Sequence, residues 1–138
     1  MERNIRILVV DDQEAMRRIL RAELAELGYE NVDTAVDGAW GLVKLREGRY
    51  DLVITDWNMP HMDGLSMLKA IRKEYSRQQL PVLMVTAEAR RQNIVAAAVA
   101  GADGYIVKPF SLATLESKIA KILERREAGK TEDDTAFV

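Results

Sequence analysis

The chain has 138 residues, which is typical of a single domain and long enough to bury a core without disulfides or a structural metal. It has no cysteine, one histidine and a formal net charge of −2. These features exclude disulfides, thiolate chemistry and cysteine-based zinc sites, and they give no electrostatic case for nucleic-acid binding. We find no signal peptide and no apolar run of about 18 residues, so we expect a cytoplasmic protein that does not enter a membrane.

Five short apolar segments alternate with five segments of helical periodicity. The predicted strands cover residues 5–10, 32–36, 52–55, 81–86 and 105–107. The predicted helices cover residues 13–27, 39–46, a segment that begins after Gly64, 90–100 and 112–126. Short strands joined by helices favour parallel pairing with right-handed crossovers. The sequence therefore predicts an α/β domain in which five helices cover a doubly wound, five-stranded parallel sheet.

The domain is expected to span residues 1–127, followed by a mobile acidic tail over residues 128–138. From Glu127 onward the sequence has four acidic residues, one lysine and no apolar periodicity.

Two apolar features make further predictions about packing. The first helix should bury one face made of five residues: Met16, Ile19, Leu20, Leu24 and Leu27. Trp40 should pack on the second helix, whereas Trp57 should be half exposed.

Polar side chains follow four of the predicted strands. Asp11 and Asp12 follow the first, Asp56 the third, Thr86 ends the fourth and Lys108 follows the fifth. The carboxyl ends of parallel strands share one edge of a sheet, where α/β proteins bind ligands. Clustered carboxylates call for a hard cation such as Mg²⁺, and a lysine and a hydroxyl group can meet an anion. These groups suit phosphoryl transfer to Asp56, which would form an aspartyl phosphate.

Six segments carry a resemblance to a known family. They are Leu-Val-Val-Asp-Asp (8–12), Met-Arg-Arg-Ile (16–19), Thr-Asp-Trp-Asn-Met-Pro (55–60), Met-Asp-Gly-Leu (62–65), Leu-Pro-Val-Leu-Met-Val-Thr-Ala-Glu-Ala (80–89) and Gly-Tyr-Ile-Val-Lys-Pro-Phe (104–110). In this order they resemble the receiver domains of two-component response regulators, and most closely the single-domain chemotaxis regulators of the CheY type. The resemblance implies a flavodoxin-like, CheY-like fold.

The resemblance also implies roles for the residues at the strand ends. Asp56 corresponds to the phosphoacceptor. Asp12 and Asp56 correspond to direct Mg²⁺ ligands, with Asp11 acting mainly through water and the backbone carbonyl of Asn58 as the third protein ligand. Lys108 would pair with the phosphoryl oxygens.

A second group of residues corresponds to the switch and its output. Thr86 would swing toward the phosphoryl group, and Tyr105 resembles the aromatic residue that turns inward once Thr86 has moved. The implied partner surface comprises the fourth helix, fifth strand and fifth helix, including Arg90, Tyr105 and Lys118.

The resemblance implies a signalling switch that is phosphorylated by a chemotaxis-type histidine kinase and binds a flagellar motor switch protein. A phosphatase is a further candidate partner, and a monomer is expected. Two alternatives stay open in the same class: a receiver of a non-flagellar chemosensory system, and a phosphorelay intermediate. An alternative of another class is a Mg²⁺-dependent phosphatase of the haloacid dehalogenase type. That enzyme usually has an acid/base aspartate two residues after its nucleophile, where this chain has Asn58.

Overall fold

A computed structural model describes residues 4–129 and 137–138 of the chain. Its strands are β1 (Ile7–Val10), β2 (Val32–Ala35), β3 (Leu52–Thr55), β4 (Val82–Thr86) and β5 (Gly104–Val107). Its helices are α1 (Glu14–Glu26), α2 (Gly38–Glu47), α3 (Gly64–Glu74), α4 (Arg91–Ala100) and α5 (Leu112–Glu127). The predicted alternation is confirmed, with boundaries that shift by one or two residues. Most of the predicted mobile tail, residues 130–136, lies outside the described residues.

The strands form one parallel sheet in the order β2-β1-β3-β4-β5. This is the flavodoxin-like order, for which CheY is itself a known example. In the register of the sheet, Val10 of β1 lies opposite Thr55 of β3. Asp11 and Asp56 therefore follow the two strands side by side, so two of the predicted site residues lie next to each other.

Both faces of the sheet are buried, which explains why the strands are apolar without alternation. Ile7 and Val9 contribute to one core, beneath α1 and α5. Leu8 and Val10 contribute to the other, beneath α2, α3 and α4. The anchoring of the helices differs, because α3 buries four residues whereas α4 buries only Ala97.

Three helices begin at polar residues that accept a hydrogen bond from a backbone amide of the first turn. Asp37 accepts from Trp40, Asp63 from Ser66 and Ser111 from Thr114. Such caps satisfy amides that have no partner within the helix.

Two packing predictions are wrong. Ile19 has 48% of its surface exposed and Trp40 has 57%. In α1, Leu20 and Leu24 point to the sheet, so Ile19 lies at the rim of the buried face. In α2, Gly41 and Leu45 face the core, and Trp40, one residue and about 100° away, points outward. Trp57 is half-buried, as predicted.

An ion cluster that the sequence analysis missed lies at the opposite edge of the sheet from the predicted site. The buried Asp103 carboxylate accepts hydrogen bonds from Arg72 and Arg77 at 2.9 Å, and from the amide of Val82 at 2.8 Å. Arg72 also donates to the carbonyls of Gly101 and Leu80. The cluster thereby ties α3 to the loops that flank β4 and β5.

None of the helices within the described ranges combines the length and the apolar character that a membrane span requires.

Candidate functional site

The site forms where β1 and β3 end next to each other. The Asp56 amide donates to the carbonyl of Val10 at 3.0 Å, and the Asp11 amide donates to the carbonyl of Ala35 at 3.1 Å. These bonds extend the sheet by one residue on each strand. The two aspartates are thus held by the sheet itself rather than by a flexible loop.

Three carboxylates converge at this edge. One oxygen from each of Asp11, Asp12 and Asp56 lies within 4.8 Å of the other two. The side chain of Asp11 is 1% exposed and that of Asp56 is 12% exposed, while Asp12 is exposed to solvent. The exposure of the three carboxylates therefore increases from Asp11 through Asp56 to Asp12.

Lys108 is the cation of the site. Its Nζ atom lies 3.1 Å from Oδ2 of Asp11 and 3.2 Å from Oδ2 of Asp56. The residue follows β5, and its amide donates to the carbonyl of Thr86 at 2.8 Å. One amine thus contacts two carboxylates that would otherwise repel each other.

The backbone around Asp56 is tightly packed. The Trp57 amide donates to Oδ1 of Asp56 at 2.6 Å, and the Thr55 hydroxyl donates to the Asp56 carbonyl at 2.9 Å. The first residue of α3, Gly64, donates its amide to the Trp57 carbonyl at 2.8 Å. A Cβ atom on Gly64 would lie only 2.0 Å from the Asp56 carbonyl oxygen. A glycine is therefore required where α3 begins against the loop that follows Asp56.

The pKa of Asp11 is raised above its ordinary value of 3.8, chiefly by burial. A hydrogen bond from the Gln13 amide and the nearby Lys108 charge act in the opposite direction but do not cancel the effect of burial. A divalent cation would favour the ionised form of this carboxylate.

The donor set fits a hard divalent cation. All the clustered side-chain donors are carboxylate oxygens, and the exposure of Asp12 leaves one side open to water, as Mg²⁺ prefers. Asn58 lies two residues beyond Asp56 and is exposed. Ligation by Asp11, Asp12, Asp56 and the Asn58 carbonyl stays a prediction.

The predicted switch residues are joined through Glu88, which the sequence analysis did not single out. The buried Thr86 hydroxyl accepts from the Glu88 amide at 3.2 Å. The Tyr105 hydroxyl donates to the Glu88 carbonyl at 2.7 Å. Burial raises the pKa of Tyr105 to about 12, with further contributions from Glu88 and Asp56. Thr86 and Tyr105 therefore share one loop residue as their hydrogen-bond partner.

The Glu88 carboxylate also connects the loops around the site. Its pKa is lowered by hydrogen bonds from three side chains. The largest effect comes from Arg90, the next from Asn93 and a smaller one from Asn58. Asn58 belongs to the loop after Asp56, so this contact reaches from that loop to the start of α4.

The three predicted partner-surface residues differ in accessibility. Arg90 is exposed and pairs with Glu88 at 3.0 Å, and Lys118 is half-buried on α5. Tyr105 is only 1% exposed. Its ring is thus already turned inward in this structure, whereas the resemblance implied that it turns inward only once Thr86 has moved.

Comparison with known proteins identifies the family. The sequence pattern of the response regulator receiver domain matches residues 7–120. The chain belongs to the response regulator receiver family. The Vibrio cholerae chemotaxis protein CheY-3 is 51% identical to this receiver over 125 residues, which cover 91% of this chain and 96% of the relative. The Pseudomonas aeruginosa chemotaxis protein CheY is 50% identical over 121 residues, which cover 88% of this chain and 98% of the relative.

A solved structure supports the same assignment. The Thermotoga maritima response regulator TrrA, solved in complex with Mg²⁺ and BeF, matches this receiver with a TM-score of 0.76 and 40% sequence identity. The match covers 86% of this chain and 98% of that one. The receiver is therefore similar in sequence to chemotaxis proteins of the CheY type and in structure to a response regulator.

Proposed function

We propose that this receiver is a phosphorylation-driven switch in which Asp56 accepts the phosphoryl group. The observation that carries the proposal is the position of the Lys108 amine, 3.1 Å from Asp11 and 3.2 Å from Asp56. An amine held there can bind the anion that forms on Asp56. The remaining exposure of Asp56, 12% of its side chain, leaves one side open to a phosphodonor.

In the proposed reaction, a carboxylate oxygen of Asp56 attacks the phosphorus atom of a phosphohistidine on the kinase. An O–P bond forms as the P–N bond breaks, and the released imidazole takes a proton from solvent. Lys108 then shifts from the carboxylates to the phosphoryl oxygens. Asp12, Asp56 and the Asn58 carbonyl would hold Mg²⁺ directly, with Asp11 acting mainly through water, and the cation would neutralise charge that develops on those oxygens. Attack of water on phosphorus later releases inorganic phosphate and restores the carboxylate.

The proposed switch depends on movement of the Thr86 side chain. In the unphosphorylated protein this hydroxyl accepts a hydrogen bond from the Glu88 amide. Once the phosphoryl group is present, the Thr86 side chain swings toward it and donates to one of its oxygens, and this movement breaks the hydrogen bond from the Glu88 amide. Because the Glu88 carbonyl is the partner of the Tyr105 hydroxyl, the loop and the ring reorganise together.

The similarity to chemotaxis relatives supports the proposed partners. A chemotaxis-type histidine kinase in the cytoplasm would supply the phosphoryl group, and a flagellar motor switch protein would bind the surface that contains Arg90, Tyr105 and Lys118. A phosphatase would shorten the signal. Asn58 cannot act as the acid/base of a haloacid dehalogenase-type phosphatase, so we do not propose turnover of an external substrate.

The test uses the half-buried Trp57 as a reporter in a Trp40→Phe background, which removes the exposed second tryptophan. Mg²⁺ is titrated first, and acetyl phosphate is then added as a small-molecule phosphodonor. We expect a Mg²⁺-dependent change in fluorescence and then a further, reversible change. Mass spectrometry should show one added phosphoryl group.

Asp56→Asn should retain the fold and fail to gain the phosphoryl group, whereas Glu14→Gln, a neighbouring exposed acid, should behave as the parent. Labelling of Asp56→Asn at the parental rate would refute the assignment of the acceptor. Labelling of the parent without Mg²⁺ at the same rate would refute the role of the metal.

A further inference from the structure

The carboxyl-terminal end of the chain contacts the open edge of the sheet. Within the described residues, β5 pairs only with β4 and so lies at the edge. On its other side, the Tyr105 amide donates to the main-chain carbonyl of Phe137 at 2.8 Å. A strand edge has unpaired donors and acceptors, and an extended segment that adds to it gains main-chain hydrogen bonds. Phe137 already occupies one of these positions.

The side chain of Phe137 strengthens this contact. Its ring packs against the Tyr105 ring with centroids 6.2 Å apart and planes tilted by 41°, a favourable aromatic geometry. Phe137 is half-buried against the core cluster that includes Ala97 of α4 and Ala102, whereas the next residue, Val138, is 65% exposed. The end of the chain is therefore anchored by one aromatic residue.

The charges in the sequence also favour the contact of Phe137 with β5. Three consecutive acids, residues 132–134, precede Phe137 in the sequence. On α5, beside β5, the charges of Lys121 and Arg125 act with burial to lower the pKa of Lys118, so these three cations lie near one another. An acidic segment is attracted to such a cluster. The seven residues between Gly129 and Phe137 also keep the end of the chain close to its site, at a high effective concentration.

The contact lies on the residue that the switch uses. Tyr105 binds Phe137 through its amide and its ring, and it binds Glu88 through its hydroxyl. Glu88 in turn binds Thr86. A rearrangement of Thr86 can thus reach Tyr105 through two hydrogen bonds and Phe137 through a third.

We propose that the carboxyl-terminal segment is an intramolecular ligand of the β5 edge, where Phe137 competes with partners that dock on α4, β5 and α5. The competition with a partner rests on the proposed function. Occupation of the edge by Phe137 does not, because it is a property of the unphosphorylated chain.

Amide hydrogen exchange of the unphosphorylated full-length protein tests the occupation. The Tyr105 amide should exchange at least about tenfold faster in Phe137→Ala than in the parent, because its acceptor is no longer anchored. Val138→Ala should match the parent. The Lys108 amide, which donates to Thr86 within the sheet, should be unchanged in all three proteins. Equal Tyr105 exchange in Phe137→Ala and the parent would overturn the proposal.

A peptide with the sequence of residues 130–138 tests the competition. It should bind full-length Phe137→Ala at least about tenfold more tightly than the parent, whose own segment fills the edge. The same peptide with alanine in place of its phenylalanine should not bind. Equal affinity for the two proteins would overturn the proposal, as would Tyr105 protection that is lost on dilution, since that result would mean contact between two copies.

Discussion

The Nζ atom of Lys108 lies 3.2 Å from Oδ2 of Asp56, although the two residues are 52 positions apart in the chain. The contact exists because β3 and β5 end at the same edge of the sheet, on either side of β4. The amine that would bind the phosphoryl group is therefore already at the acceptor before any phosphoryl group arrives.

Lys108→Arg should still accept a phosphoryl group but should switch poorly. A guanidinium keeps the positive charge, yet its planar donors and longer reach cannot reproduce a point contact with both carboxylates. We expect phosphorylation by acetyl phosphate to persist and partner binding after phosphorylation to weaken by about tenfold or more. Lys108→Met, which removes the charge, should lower the phosphorylation rate by about 10²-fold. Parental partner binding by phosphorylated Lys108→Arg would contradict a switching role.

Asp11→Asn should stabilise the metal-free protein at neutral pH. The pKa of Asp11 is raised in the fold, chiefly by burial, so its ionised form is less stable there than in the unfolded chain. The stability that the protonated form supplies is present below pH 3.8 and is lost as the pH rises through the folded pKa. Lys108 keeps Asp56 as a partner in the variant. Thermal unfolding at pH 7 should therefore show a melting temperature a few degrees higher, with a difference that shrinks as the pH falls toward 3.8.

Addition of Mg²⁺ should reverse this order. The parent should become more stable as the Mg²⁺ concentration rises, because a ligand that binds only the native state stabilises it. Asp11→Asn should gain little stability. Glu14→Gln is the control and should follow the parent at each pH. If the melting temperature of the parent does not change with Mg²⁺ concentration, the prediction of a metal site is contradicted.

Asp103→Ala should reduce the free energy of unfolding by about 3–5 kcal/mol, because it leaves the largely buried Arg72 guanidinium without its carboxylate. Urea unfolding measures the change. Arg90→Ala, which removes the exposed partner of another ion pair, should leave the free energy of unfolding nearly unchanged. Equal effects of the two substitutions would mean that burial of the Asp103 cluster contributes nothing.

Gly64→Ala should disrupt both the fold and the site. The added Cβ would lie 2.0 Å from the Asp56 carbonyl oxygen, and backbone cannot yield as a side chain can. We expect a loss of about 3 kcal/mol or more in the free energy of unfolding, together with slower phosphorylation. Gly48→Ala is the matched control, because its Cβ would meet the end of the flexible Arg6 side chain at 2.9 Å. A Gly64→Ala protein that unfolds like the parent would contradict the close contact.

The sequence predicted the strand-end residues well because parallel pairing leaves little freedom: Asp11, Asp56 and Lys108 had to meet once the strands were assigned. It failed for Ile19 and Trp40 because periodicity defines the direction of an apolar face but not its width. The Asp103 cluster and the role of Glu88 depend on loop contacts between distant parts of the chain, which periodicity does not encode. Phe137 gave no signal, since one aromatic residue in an acidic segment does not indicate where it binds.

The helix α4 is anchored to the core by a single fully buried residue, Ala97, while Val95 and Val99 are 49% and 82% exposed. An alanine gives up little apolar contact when its helix shifts, and substitutions at the two exposed valines create no cavity. Evolution or library design could therefore vary the partner specificity of this helix. The side chains at the ends of β1, β3 and β5 would keep their positions.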